Sequence, residues 1–287
     1  MAFAAARTTC ARVRRVPVCP VANAYLHGYR PEERDRLGRQ AAFLAAKVHD
    51  GVPFAGCRRL LEVGCGVGAQ SEILLRSFPD ASLVGIDVSP DQVEAASRRL
   101  ATAFGARAEC RCMDARQMAF EASSFDGAFL CWILEHVADP ECVLAEVRRV
   151  LAPGAPIVCC EVLNATLFIH PPSPNLGTYW AAYNEHQTAI GGDPYVGGKL
   201  GNLLLAAGFR DVTTRVQSYF LDGRDPEARA DVMAYFDDLL LSAAPGLIEA
   251  GRVTPAIVAA MRAELAGAAV APDGVFFHSF VRASALA

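Results

Sequence analysis

Hydrophobic residues fall into two alternating periods from Arg58 onward. Short runs that are apolar on both faces are followed by longer stretches in which apolar side chains recur every three to four residues. This is the pattern of parallel strands joined by crossover helices. Arg59–Val63 predicts a first strand that runs into Gly64-Cys65-Gly66-Val67-Gly68, with a helix over 69–77. A second strand follows at 82–87. The next helix has a complete start signal: Ser89 as N-cap, Pro90 at the first helical position and Gln92 three after the cap, with Val93, Ala96, Ser97, Leu100 and Phe104 on one face and Gly105 beyond its end.

Further strands are predicted over 106–113, 125–131 and 157–163, with a helix opened by Asp139-Pro140 and closed by Pro153-Gly154. The pattern then breaks at His170-Pro171-Pro172-Ser173-Pro174. Beyond it come an aromatic lid helix around 179–183, a helix over 200–207, a strand over 212–219, two or three helices between 225 and 266, and a closing strand over 275–281. A helix over 31–48 precedes the first strand. The expected organisation is an extension or transit-like segment at 1–22, a helical cap at 23–56, a Rossmann-like core at 57–164, and lid helices with the remaining strands of the same domain at 165–287.

A strand that ends in closely spaced glycines and feeds a helix presents bare backbone N–H groups and a positive helix end to a ligand. Gly64-x-Gly66-x-x-Ala69 also satisfies a relaxed dinucleotide fingerprint, so an NAD(P)-dependent oxidoreductase is the alternative reading. Three features favour a different ligand. Glu62 ends an otherwise apolar strand two residues before the first glycine, where it repels a pyrophosphate and attracts a cation. The Gly64-x-Gly66-x-Gly68 spacing lets a ligand without phosphates lie against the turn. Asp114, after strand three, is suited to accept a hydrogen bond from an adenine amino group. Glu62, Asp87 and Asp114 therefore mark the carboxyl ends of three consecutive strands, an alignment not expected of solvated surface charges.

Leu61 to Gly68, Gly85-Ile86-Asp87-Val88-Ser89, Met113-Asp114-Ala115, and Phe125-Asp126 through Leu134-Glu135-His136-Val137 occur in order and spacing that resemble the class I S-adenosylmethionine-dependent methyltransferases, especially the quinone-biosynthesis-like small-molecule branch. The resemblance covers roughly residues 58–163. More loosely, Tyr25 to Tyr29, His170-Pro171 and Pro272 to Phe276 are similar to bacterial natural-product methyltransferases, some of which methylate indoles or terpenoids. The resemblance implies a doubly wound α/β fold whose seven-stranded, mostly parallel sheet has its last strand antiparallel, with 275–281 inserted between the strands at Ile157 and Val212. It implies S-adenosyl-L-methionine as cofactor, contacted by Glu62, Gly64, Cys65, Gly66, Gly68, Asp87, Val88, Gln92, Asp114, Ala115 and Cys131, with Asp87 on both ribose hydroxyls. A non-catalytic scaffold that binds the same cofactor is a third reading.

Methyl transfer from a sulfonium needs orientation first and a base only where the acceptor sheds a proton. Candidates for catalysis are His136, just beyond strand four, His170 on the turn-rich segment, and Tyr25. Tyr29, Tyr179, Trp180 and Tyr183 are candidates for an aromatic box around a flat acceptor. Each has a plainer alternative: His136 as a residue ordering the turn, His170 as a loop residue, and the aromatics as core. His27 joins Tyr25 and Tyr29 in a possible pocket wall, Glu185 and His186 are further acid or base candidates, and His278 between Phe277 and Phe280 is expected to be structural.

At 53% hydrophobic residues the chain can bury a substantial core. Its net charge of −4, with a basic first 30 residues and an acidic remainder, argues against a nucleic-acid partner. The ten cysteines lie at or before Cys160, without a zinc-ligand spacing, so no metal is expected. No apolar run approaches the roughly 20 residues of a membrane span. The expected partner is a small-molecule acceptor, with a homodimer as the candidate assembly and the cytoplasm as location, or an organelle if 1–22 is a transit peptide.

Overall fold

The computed structural model describes residues 25–287; the extension expected over 1–22 lies outside them. Helix α1 (Pro31–His49) precedes β1 (Arg59–Val63), α2 (Ala69–Ser77), β2 (Ser82–Asp87), α3 (Pro90–Phe104), β3 (Ala108–Cys112), β4 (Gly127–Cys131), α4 (Pro140–Val150) and β5 (Pro156–Val162). Then follow β6 (Phe168–His170), α5 (Pro174–Ala189), α6 (Leu200–Ala206), β7 (Arg210–Leu221), α7 (Pro226–Glu249), α8 (Pro255–Val270) and β8 (Val275–Leu286). One sheet runs β3-β2-β1-β4-β5-β8-β6, with β7 on the free side of β8. The pairs among β1 to β5 are parallel, and β8 is antiparallel to β5, β6 and β7. The expected insertion of the last strand between β5 and β7 is observed.

The sheet has eight strands, against the seven implied by the resemblance. The addition is β6, and it exists because β8 is long. Phe280 to Leu286 pair with β5, which leaves Val275, Phe276 and Phe277 free to pair with a three-residue strand just past the end of β5. The extension of β8 beyond Val281 is carried by Ala283 and Ala285, buried in alternation with Ser284 and Arg282. Small alanines give a weak hydrophobic period. Two other strands are shorter than their pattern predicts. Residues 105–107 tighten into a 3-10 turn, so β3 starts at Ala108. The Asp126 carboxylate accepts from the N–H groups of Arg58 at 2.7 Å and Arg59 at 2.8 Å, so it terminates the loop before β4.

Helices cover both faces. Val143, Leu144, Val147 and Val150 of α4 and Leu200 and Leu204 of α6 pack on one side, and Leu74 and Leu75 of α2, Leu100 of α3 and Leu44 and Val48 of α1 on the other. These are the near-continuous apolar strands and amphipathic helices of a parallel α/β sheet. A separate apolar layer joins α5, α7 and α8 around Tyr179, Phe236, Leu240 and Phe276, with Leu26 from the N-terminal segment. This layer is the lid, and it stands over the carboxyl ends of the strands. Among the described residues, no helix is long and apolar enough to cross a membrane.

Candidate active site

The carboxyl ends of β1, β2 and β4 open into a cleft whose empty space, its open mouth included, is about 1360 Å³. Its floor is the glycine turn. Gly64, Gly66 and Gly68 all have positive φ, at 73°, 50° and 74°, a region that glycine enters without steric cost. A Cβ at Gly64 would stand 2.7 Å from the Ile133 side chain, so the turn also needs glycine for space. Gly64 and Gly66 line the cavity, whereas Gly68 is at the N-cap of α2, against Ala96 and Leu100.

Asp87, at the end of β2, braces this turn: one carboxylate oxygen accepts from Gly66 N–H and the other from Ser89 N–H, both at 2.9 Å. Burial raises its pKa against the pull of those donors. Glu62 is buried beneath the turn and accepts from the Ser71 hydroxyl; burial pushes its carboxyl up to about 8. Asp114 is held by Arg116 through its guanidinium at 2.8 Å and its N–H at 2.9 Å, which lowers its pKa despite partial burial. Cys65, Val88, Gln92, Ala115 and Cys131 line the same cavity. Gln92 Oε1 is buried there with no hydrogen-bond partner among the described residues.

The N-terminal segment closes the cavity. Tyr25 and Tyr29 both line it, with ring centroids 5.2 Å apart, and Tyr25 meets His136 edge-on at 4.9 Å. Tyr25 is half-buried, and the loss of hydration there, with Glu33 and Glu135 nearby, raises its pKa well above the ordinary 10. Its phenol therefore stays protonated, and it donates to Glu33 Oε1 at 3.2 Å. His27 turns away from the cavity, with Ser242 on one ring nitrogen at 2.6 Å and Tyr183 on the other at 3.2 Å.

A second, smaller chamber adjoins the first beneath the lid, with about 610 Å³ of empty space when its open side is included. Gln40, Trp132 and Glu135 line both. Trp132 follows β4 with a positive φ of 57°, a strained backbone of the kind that gathers at functional sites. Glu135 is buried and accepts from Gln187 Nε2 at 2.8 Å. Trp180, Tyr219, Tyr235, Phe236, Phe276 and Phe280 form most of the chamber wall, with His278 among them.

Two expected site residues lie elsewhere. His170 is on β6 at the surface, 3.2 Å from the Asp273 carboxylate, and lines neither cavity, because β6 is bound to the start of β8 and faces away from the strand ends. Tyr179 is fully buried among the lid helices, its hydroxyl donating to the Leu240 carbonyl; of the four aromatics expected to meet the acceptor it is the core residue. Tyr29 is in the first cavity, and Trp180 and Tyr183 are in the second, their rings stacked 5.2 Å apart. Glu185 and His186 lie on the lid surface, Glu185 3.9 Å from Arg252.

Sequence reading gave no role to Arg36, Gln40 and Glu135, and took His278 for a structural residue. Arg36 and Gln40 are one helical turn apart on the inward face of α1, buried with Ala41 and Leu44. Arg36 is clamped by both oxygens of Glu33 at 2.6 Å. Polar residues on the apolar stripe of an amphipathic helix were the available signal. Glu135 stood inside the quoted motif next to His136, which drew attention because histidine titrates near neutrality.

Residues 61–159 match the family model described as a methyltransferase domain. The chain is 33% identical over 138 residues to the ubiquinone/menaquinone biosynthesis C-methyltransferase of Desulfotalea psychrophila, covering 48% of this chain and 50% of that one. It is 34% identical over 159 residues to an O-methyltransferase of Penicillium expansum, covering 54% and 53%. The chain thus spans about half the length of these curated relatives. Among solved structures, a phosphoethanolamine N-methyltransferase of Haemonchus contortus, in complex with phosphomonomethylethanolamine and S-adenosylhomocysteine, superposes with a TM-score of 0.53 at 15% identity, covering 86% of this chain and 52% of that one; at that identity the likeness is one of fold. The oxidoreductase alternative finds no support in these relatives. Residues 61–159 therefore carry a methyltransferase domain, as the family model and these relatives have it.

Proposed function

We propose that this chain transfers the methyl group of S-adenosylmethionine to a small-molecule acceptor, an activity of the EC 2.1.1 class. The observation that carries the reading is that Glu62, Asp87 and Asp114, from the ends of three neighbouring strands, line one cavity with a bare glycine turn. The donor set suits the cofactor. Asp87 has lone pairs left for the two ribose hydroxyls after bracing Gly66 and Ser89. Asp114 is placed for the adenine amino group, and Glu62 for the cationic amino-acid end. Gln92 Oε1 is a buried acceptor in want of a donor. When bound, the cofactor supplies a methyl group on a sulfonium, whose departure leaves a neutral thioether.

The protein's own work is then orientation and proton handling. Burial of both reactants between the turn, α1 and the lid holds them in line, an effect that reaches about 7–11 kcal/mol in favourable cases. Glu135, at the junction of the two cavities, is the group positioned to take the proton that the acceptor gives up as the new bond to the methyl carbon forms. His136, 3.7 Å from Glu135 and against Tyr25, orders that corner.

Titration calorimetry with S-adenosylhomocysteine and with NAD tests the cofactor reading: micromolar binding of the first and none of the second is the expected result, and the reverse overturns it. Mass spectrometry of the full chain incubated with methyl-labelled S-adenosylmethionine and a panel of phenols, indoles and prenylated compounds then identifies the acceptor.

A further inference from the structure

The chamber beneath the lid differs from the cofactor cavity in its electrostatics. Arg36 and Arg116 line the cofactor cavity. Among the described residues, no lysine or arginine lines the chamber, and its one acid, Glu135, stands at the mouth. An anionic acceptor would lose its hydration there and gain no cation in return. Most of the wall is aromatic rings packed on one another, Trp180 5.5 Å from Phe236 and Trp132 edge-on to Phe280 at 5.0 Å.

The wall also carries Gln40, Asn164 and three tyrosines, and two of its buried polar atoms, Trp132 Nε1 and His278 Nε2, have no hydrogen-bond partner among the described residues; of the two, His278 is the one that can accept. Its ring stands 5.4 Å from Phe236 and 6.1 Å from Trp180, and burial alone lowers its pKa to about 4. The imidazole is therefore neutral, with one donor and one acceptor nitrogen. Nε2 is buried without a hydrogen-bond partner among the described residues, a costly state for a polar atom unless a ligand relieves it.

We infer that the chamber takes an uncharged, electron-rich aromatic acceptor carrying one N–H or O–H, which donates a hydrogen bond to His278. The inference rests on the methyl-transfer reading and deepens it. The sense of the bond follows from the chemistry. A methyl acceptor must be nucleophilic; donating a hydrogen bond to imidazole pushes electron density into the acceptor ring, whereas a carbonyl receiving one from imidazole would withdraw it. His278 is thus a residue that touches the acceptor and sets its selectivity. No bond to the acceptor is made or broken at His278, and the proton released on methylation goes to Glu135.

The chain's two tryptophans, Trp132 and Trp180, both border the chamber. Fluorine NMR of protein labelled with 5-fluorotryptophan therefore reads its occupancy directly. The full chain saturated with S-adenosylhomocysteine is titrated with indole, with indene, which keeps the shape and lacks the N–H, and with indole-3-acetate, which keeps the N–H and adds a charge. Indole should shift both resonances with an affinity about tenfold above that of indene, and indole-3-acetate should bind at least tenfold more weakly than indole. His278→Phe should lower indole to the level of indene and leave indene unchanged, which also reports that the variant is folded. Equal binding of indole and indene by the unaltered protein, or binding of indole-3-acetate as tight as that of indole, overturns the inference. Loss of S-adenosylhomocysteine binding in calorimetry would instead remove the methyl-transfer reading, and the two failures are separately visible.

Discussion

Glu161 Oε1 on β5 accepts a hydrogen bond from the backbone N–H of Leu134 at 2.8 Å. The same carboxylate takes the N–H of Ile133 at 3.0 Å and of Glu135 at 3.2 Å. One side chain on a central strand therefore fastens the turn that carries Trp132, Glu135 and His136 to the site. Burial and the neighbouring Glu135 push the Glu161 carboxyl up to about 8 against the pull of its three donors.

Replacing Glu161 by alanine should leave those three N–H groups without an acceptor. Each buried unmet donor costs about 1–3 kcal/mol, so urea denaturation should show a loss of about 3 kcal/mol or more. Glu161→Gln keeps one acceptor oxygen and should lose less than half as much. Equal stability of the alanine variant and the parent would mean that the turn is held by other contacts.

The turn and acids of the proposed cofactor site were legible because their determinants are local. A strand, three glycines and an acid within a few residues specify a turn, and Ser89 caps α3 as its sequence announces, accepting from Gln92 N–H at 3.4 Å. The acceptor half was not legible in the same way. The wall of the proposed acceptor chamber combines Trp132, Trp180, Tyr235 and His278, brought together from the turn after β4, α5, α7 and β8 by the tertiary fold. Aromatic spacing on α5 pointed to Tyr179 and Tyr183 alike, yet the register of the lid helices sends Tyr179 into their own core. His278 read as a residue between two phenylalanines, and only the cavity beside it gives its unpaired nitrogen a meaning. The length of β8 escaped for a simpler reason, since alanines carry little hydrophobic signal.

Asp87→Ala should weaken S-adenosylhomocysteine binding by about two orders of magnitude or more. Two charged hydrogen bonds at about 1.5–3 kcal/mol each are lost, and about 1.4 kcal/mol is tenfold. The structure adds a second cost, because the carboxylate also braces Gly66 and Ser89. Asp87→Asn, which retains one acceptor oxygen, should recover part of the loss in calorimetry. Unchanged affinity in the alanine variant with native circular dichroism would place the ribose elsewhere.

Arg229 on α7 is almost fully buried, and its guanidinium donates to the carbonyls of Gly274 at 2.7 Å, Ala271 at 2.7 Å and Ala269 at 3.1 Å. It closes the C-terminal end of α8 and fixes the entry to β8. Arg229→Met keeps the apolar stem and removes the donors, so thermal or urea unfolding should report a loss of about 3–5 kcal/mol, the range for a broken buried charge network. A loss under 1 kcal/mol would show that water or neighbouring donors replace it.

Glu62 makes both stability and cofactor binding depend on pH. Its folded pKa of about 8 stands above the ordinary value of 4.5. Between those two values the folded chain holds a proton that the unfolded chain has released. Stability is therefore greatest below about 4.5 on this account and falls as pH rises toward 8, by at most about 1.4 kcal/mol per unit from this group. Glu161 contributes in the same direction, so Glu62→Gln should remove only part of the slope in a series of melts from pH 5 to 8. Binding has the opposite sign. The ammonium of the cofactor's amino-acid end favours the ionised carboxylate, so affinity should rise with pH toward about 8 and binding should release a proton. Calorimetry in two buffers of different ionisation enthalpy measures that release. A binding heat independent of buffer, together with an unchanged pH profile in Glu62→Gln, would show that Glu62 stays protonated and plays no part in holding the cation.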